Sequence, residues 1–144
     1  MLKFLLLVNK QGQARLTKYY EYMDIAERVA LEADLTRKVL SRTENQCSFM
    51  DYKDYKVVYR RYAALYFITG IDHEENELAV LEIIHLIVET FDKYFNKVCE
   101  LDIMCNIEKA HMLLDEIITN GHIVETNKSR ILAPVQVIDR TGSR

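Results

Sequence analysis

The sequence predicts an α+β domain: a five-stranded antiparallel sheet flanked by helices, in the order ββαβββααα. Three observations predict it. Short runs rich in Tyr, Phe, Val and Ile follow one another with turns far too short for the crossover that parallel strands require. A helical period interrupts them once, after the second strand, and takes over from residue 75 onward. One proline, four glycines and 49% hydrophobic residues in 144 suit a single compact core. With no linker, low-complexity block or repeat of 20–50 residues, residues 1–138 read as one domain, and the polar tail 139–144 is expected to fray.

The opening LKFLLLVN, the turn KQGQ and ARLTKYYE read as a hairpin, with Gly12 supplying a positive φ. Asp24 and Glu27 form an Asp-x-x-Glu start signal, and Ile25, Val29, Ala33 and Thr36 mark one face of a helix to about Leu40. CSFMDYK, YKVVYR and YAALYFITG then read as a three-stranded meander. From Glu75 to Val98 a long helix shows a narrow polar stripe at Glu82, His85, Glu89, Asp92, Lys93 and Asn96. The rest of its circumference is mostly apolar, more than a helix lying on one sheet needs, so a further layer must cover it. A second helix from Asp102 to Asn120 carries Ile103, Ile107, Ala110, Leu114 and Ile117 on one face and stops at Asn120-Gly121. A last helix begins near Thr126 or Asn127, with Pro134 expected to break or kink it.

Composition narrows the function. The net charge of −3 and pI near 5.8 give no concentrated basic face for nucleic acid. Charge is sorted along the chain, 12 Lys/Arg against 9 Asp/Glu in residues 1–72 and 7 against 13 in 73–144, which suits a charged partner. Cys47, Cys99 and Cys105 are odd in number and lie inside patterned segments, so they read as buried, reduced thiols of a cytosolic protein. MLKFLLLVNK is too short and lacks the cleavage pattern of a signal peptide, and no apolar run approaches the ~20 residues that span a bilayer.

No catalytic constellation assembles. There is no Gly-rich phosphate loop, G-x-S-x-G, H-E-x-x-H or C-x-x-C. His73 and His122 fall in turns, His85 lies on the polar stripe, and His111 flanks an apolar face. Neither His85 nor His111 has a second histidine or cysteine ligand at i+3 or i+4. The adjacent pairs Glu74-Glu75 and Asp115-Glu116 point in different directions on a helix, which does not make an acid/base pair. Neither an enzyme nor a cofactor is expected.

Four stretches, KQGQARLTKYY, CSFMDYKDYKVVYRRYAALYF, NELAVLEIIHLIVETFDKYF and KVCELDIMCNIEKAHMLLDE, closely resemble the small, or sigma, subunits of heterotetrameric adaptor complexes of vesicle coats. The match runs almost without gaps from Met1 to about Val137. Tyr19, where sigma chains of the first and second complexes have tryptophan, and ETNKSRILAP make it most similar to the fourth complex. The resemblance implies a longin-like fold seated in the trunk of a large, epsilon-like subunit, within a heterotetramer that also holds beta and mu subunits. It implies a peripheral position on trans-Golgi network or endosomal membranes and selection of transmembrane cargo by cytosolic tails. A free longin module of a membrane-fusion or tethering protein is the alternative.

The resemblance also implies a site. In dileucine-binding relatives a groove takes peptides of the form acidic-x-x-x-Leu-Leu/Ile. Matched position by position, Ala63, Leu65, Val88, Val98 and Ile103 line the leucine pockets, and Arg15 faces the acidic residue. Read as strand residues, Ala63 and Leu65 share a face, and the small alanine leaves a shallow slot. Lys97 stands where those relatives have asparagine, altering a polar wall of the groove, and Ile103 replaces a leucine. Burying two leucines supplies roughly 3–6 kcal/mol before ordering costs. Ordinary packing between helix and sheet accounts for the same apolar residues, and a solvated hairpin charge for Arg15. Arg60 and Arg61 read as solvated charges near a hairpin tip, with pairing to acidic residues of a large subunit as the alternative.

Overall fold

The computed structural model describes residues 1–42 and 48–142. Strands β1 (Leu2–Asn9), β2 (Ala14–Tyr19), β3 (Phe49–Tyr52), β4 (Tyr55–Tyr62) and β5 (Leu65–Ile71) form one antiparallel sheet in the order β2-β1-β5-β4-β3. Helix α1 (Ile25–Ser41) lies on one face, and α2 (Glu77–Phe95), α3 (Glu100–Cys105), α4 (Ile107–Ile117) and α5 (Lys128–Gly142) cover the other. The predicted class, an α+β sheet flanked by helices, is what the chain adopts.

Cover on both faces explains why β1 reads as an unbroken apolar run. Side chains alternate across a strand, so Phe4, Leu6 and Val8 pack toward α1 while Leu5 and Leu7 enter the core beneath α2. An irregular register between Leu2 and Phe4 turns Leu2 to the α2 side as well. Gly70 pairs with Phe4, whose ring occupies the space a side chain would take: a Cβ there would stand 2.1 Å from the ring.

The buried face of α1 is not the predicted one. Thr36 is buried, but with Leu31, Leu35 and Val39, while Ile25 and Val29 are 79% and 62% exposed. Both sets satisfy the helical period, and the bulkier Leu/Val stripe takes the sheet. Asp24 caps the helix by accepting the Glu27 N–H at 2.8 Å, as its start signal predicts.

The broad apolar circumference of α2 is covered within the chain. Its residues Val80, Ile83, Ile84, Ile87, Val88 and Phe91 share one core with the sheet and with Leu113, Leu114, Ile117, Ile131, Leu132 and Val135 of α4 and α5. Among its described large apolar side chains only Leu78 is strongly exposed. The missing layer is therefore the chain's own C-terminal helices.

Four further details differ from expectation. The predicted helix 102–120 is two helices, broken at Asn106 (φ −131°, ψ 42°), whose side-chain amide donates at 3.2 Å to the Asp102 carbonyl that also accepts its backbone N–H at 3.0 Å. Beyond α4 the chain forms a small hairpin, β6 (Ile118–Thr119) and β7 (His122–Ile123), turned by Asn120 and Gly121 at φ 53° and 82°. Helix α5 begins where Asn127 Oδ1 accepts the Ser129 and Arg130 N–H groups and continues through Pro134 to Gly142. Pro134 and Arg130 both face solvent, where the carbonyl deprived of its donor is least costly. Asp139, expected in a frayed tail, accepts the Tyr94 hydroxyl at 2.6 Å and pairs with Lys109 at 3.1 Å.

Candidate functional site

On one face of the sheet α2 packs beside β4 and the short helix α3 beside β2. Leu65 from β5, Val88 from α2, Val98 from the α2–α3 connection and Ile103 from α3 all join the core on this side of the sheet, at 1%, 6%, 4% and 0% exposure. Four of the five apolar positions named from sequence thus belong to one cluster. Each is packed into the core that α2, α3, α4 and α5 share with the sheet, with almost none of its surface open to solvent.

Ala63 is placed differently. It is the first of two turn residues between the paired ends Tyr62 and Leu65, exposed, with φ 53°. The slot inferred from a shared strand face does not exist, because Ala63 is not in a strand. Nothing in Tyr-Ala-Ala-Leu announces a turn, since neither residue is Gly, Asn or Asp. Arg61 helps close it, its Nε donating to the Ala63 carbonyl at 3.1 Å while the guanidinium lies over the Tyr66 ring. Arg60 is exposed on the strand.

The connection carrying Val98 is held by an aspartate whose sequence position marks it only as part of the polar stripe. Asp92 accepts the Tyr62 hydroxyl at 2.5 Å and, with its other oxygen, the Val98 N–H at 2.9 Å. Its carbonyl accepts the Lys97 N–H at 3.0 Å. This staple reverses the chain through two consecutive left-handed residues, Asn96 (φ 56°) and Lys97 (φ 70°). Lys97 consequently presents an exposed ammonium beside the buried Val98. Cys99 starts α3, its N–H donating to Asp102 Oδ2 at 3.0 Å.

Arg15 projects from β2 and meets a carboxylate of the same chain. Its Nε donates to Glu100 Oε1 at 2.6 Å and its Nη2 to Gln13 Oε1 at 2.8 Å. The same Glu100 oxygen accepts from Asn9 Nδ2 at 2.7 Å, and Asn9 Oδ1 in turn accepts the N–H groups of Gln11 and Gln13. Hydrogen bonds from Asn9 and Arg15 hold the Glu100 carboxyl below the usual carboxylate range, so it is charged at neutral pH. Neither Glu100 nor Asn9 stands out in the sequence. Only proximity in the fold joins residues so far apart in the chain.

The cysteine expectation is overturned at both described positions. Cys99 and Cys105 are free but exposed, because the six-residue α3 buries Ile103 alone and both thiols lie off that face; Cys47 lies outside the described residues. His85 lies beside Glu89, and burial followed by the Lys18 charge holds His111 below its ordinary pKa. No group of three or more metal-binding side chains occurs among the described residues.

The profile of the clathrin adaptor complex small chain matches residues 1–142. The chain is 57% identical over 139 residues to the AP-4 complex subunit sigma of Arabidopsis thaliana, covering 96% of this chain and 97% of that one. It is 54% identical over 140 residues to the human AP-4 complex subunit sigma-1, covering 97% of each. In structure it resembles a subunit in a homology model of the full-length AP-3 complex in a stretched open conformation, with TM-score 0.79, 30% identity, and coverage of 99% of this chain and 96% of that one. Near full-length agreement in both sequence and fold shows that the chain belongs to the clathrin adaptor complex small-chain family, as a subunit of an adaptor complex and not an enzyme.

Proposed function

We propose that this small chain recognises acidic dileucine signals in the cytosolic tails of transmembrane cargo. It does so within a heterotetramer containing an epsilon-like large subunit and beta and mu subunits, peripheral on trans-Golgi network or endosomal membranes. The observation that carries the reading is placement: Leu65, Val88, Val98 and Ile103 all belong to the apolar core on the side of the sheet where Arg15 meets α3. Branched aliphatic walls suit leucine side chains, and a guanidinium suits a carboxylate upstream of them. Ala63 contributes at the rim through the turn before Leu65, and Lys97 adds a second cation to the polar wall.

In the unliganded chain the recess is filled by its own residues, so two leucines enter only when the stapled connection and α3 move outward. That displacement draws on the roughly 3–6 kcal/mol that burying two leucines releases, which keeps affinity modest. Exposed Tyr22, Ile25 and Val29 on and beside α1 leave apolar surface for a neighbouring subunit.

The test is titration of an acidic dileucine peptide into the assembled adaptor core containing wild-type chain or Val88→Asp, with a peptide carrying Ala-Ala in place of Leu-Leu as control. Binding lost in the variant, with assembly retained on gel filtration, supports the site. Equal binding by both proteins, or by both peptides, removes it.

A further inference from the structure

We propose that Glu100 is a specificity-determining residue of this site: its carboxylate occupies the Arg15 guanidinium in the unliganded chain, in the place where the acidic residue of a peptide would otherwise bind. The inference rests on the peptide-binding reading above and adds to it an internal competitor.

The geometry is that of a salt bridge already made. Arg15 Nε and Asn9 Nδ2 both converge on Glu100 Oε1, at 2.6 and 2.7 Å, and Gln13 takes Arg15 Nη2. Among the described residues no further partner falls to Nη1. A peptide carboxylate approaching that nitrogen alone would lie beside the negative charge of Glu100, and two carboxylates sharing one guanidinium repel. The peptide's acidic residue therefore binds by exchange, with Glu100 turning into solvent as the newcomer takes its hydrogen bonds. Glu100 is able to leave, since its side chain is already about a quarter exposed (27%).

The same short helix links this exchange to the apolar recess. Glu100 stands in the first turn of α3, and Ile103, three residues on, is the helix's one buried side chain and a wall of the leucine cluster. Withdrawing Glu100 from Arg15 and withdrawing Ile103 from the core it shares with Leu65, Val88 and Val98 are movements of one element. An acidic residue thus does more than add a contact: it releases the helix that closes the recess, which makes the acidic residue and the leucine pair mutually dependent.

The test measures two peptides against two proteins in the assembled core: an acidic-x-x-x-Leu-Leu peptide and its counterpart with glutamine at the acidic position, each with wild-type chain and with Glu100→Gln. Glutamine keeps an oxygen for the Asn9 amide and removes the charge. The expected result is a three- to tenfold gain in affinity for the acidic peptide and a smaller change for the neutral one, so that the preference for acid widens. Glu100→Ser, which also abolishes the competing carboxylate, should do the same and covers the case in which the glutamine variant assembles poorly. An unchanged preference, or weaker acidic-peptide binding because Glu100 serves to orient Arg15, overturns this inference while leaving the binding site intact. Absence of binding by either peptide to any of the proteins overturns both.

Discussion

Replacing Gly70 by alanine probes the tightest contact in the sheet. A Cβ built there stands 2.1, 2.3 and 2.7 Å from three carbons of the Phe4 ring, whereas carbon atoms pack best at about 3.5–4.0 Å. The ring must retreat by roughly 1.4 Å to restore contact. It has nowhere open to go: Phe4 is fully buried, edge-on to Tyr55 with centroids 5.5 Å apart and tilted against Tyr19 at 6.3 Å. Overpacking of this kind costs about 1–3 kcal/mol, and a backbone-linked clash with an enclosed ring belongs at the upper end. A loss near 3 kcal/mol corresponds to a fall of roughly 6–12 °C in Tm for a chain of this size. Phe4→Ala alone should cost about 3–5 kcal/mol, but in the double variant the new methyl group meets a cavity instead of a ring. The two losses should then fall short of additive by at least ~1 kcal/mol. Pulse proteolysis across a urea series, at protein concentrations low enough to avoid association, measures all three variants. A Gly70→Ala chain within ~0.5 kcal/mol of wild type, or strict additivity in the cycle, would refute the packing described.

Three other outcomes follow from single residues. Ala63→Gly should stabilise the chain or leave it unchanged, within about 1 kcal/mol, because φ is 53° there; a loss of about 0.5–1 kcal/mol, the usual effect of glycine in a strand, would return Ala63 to the sheet. Tyr20→Phe should be neutral or stabilising by up to ~1 kcal/mol in urea unfolding, since the Tyr20 hydroxyl is buried without a hydrogen-bond partner and a clear loss would reveal one. His111 resists protonation in the fold, so as pH falls through its ordinary value of 6.5 the unfolded chain gains a proton first and stability drops, levelling off below the folded pKa; His111→Gln should flatten stability between pH 7 and 5, and an unaltered slope would contradict the assignment.

The five strands of the sheet, α1 and α2, and their order are legible in the sequence because each rests on a local signal, whereas the β6–β7 hairpin and the division between α3 and α4 are not. Runs of aromatic and branched apolar residues with short turns mark the strands, the Asp24 cap marks the start of α1, and the 3.6 period marks α1 and α2. Boundaries are misread where the local signal is silent. Ala63-Ala64 turns without a turn residue, and Asn106 interrupts an otherwise continuous apolar face. The candidate site divides in the same way. Its apolar members come from a family resemblance that the sequence carries on its surface, whereas Asp92 as the staple of Val98, and Glu100 as the partner of Arg15, are pairings between positions that nothing local connects.

What this sequence determines by itself is therefore the class of fold, the family, and the residues at which, by resemblance, a leucine-binding recess is proposed. Which of two equally periodic faces α1 buries, whether α2 is covered from within or from outside, and whether Arg15 stands free or engaged were decided only on folding. The reason is physical: periodicity and propensity act over one or two turns of chain, but burial and ion pairing are set by which distant surfaces meet. Here α4 and α5 close over α2, and α3 brings a carboxylate to β2.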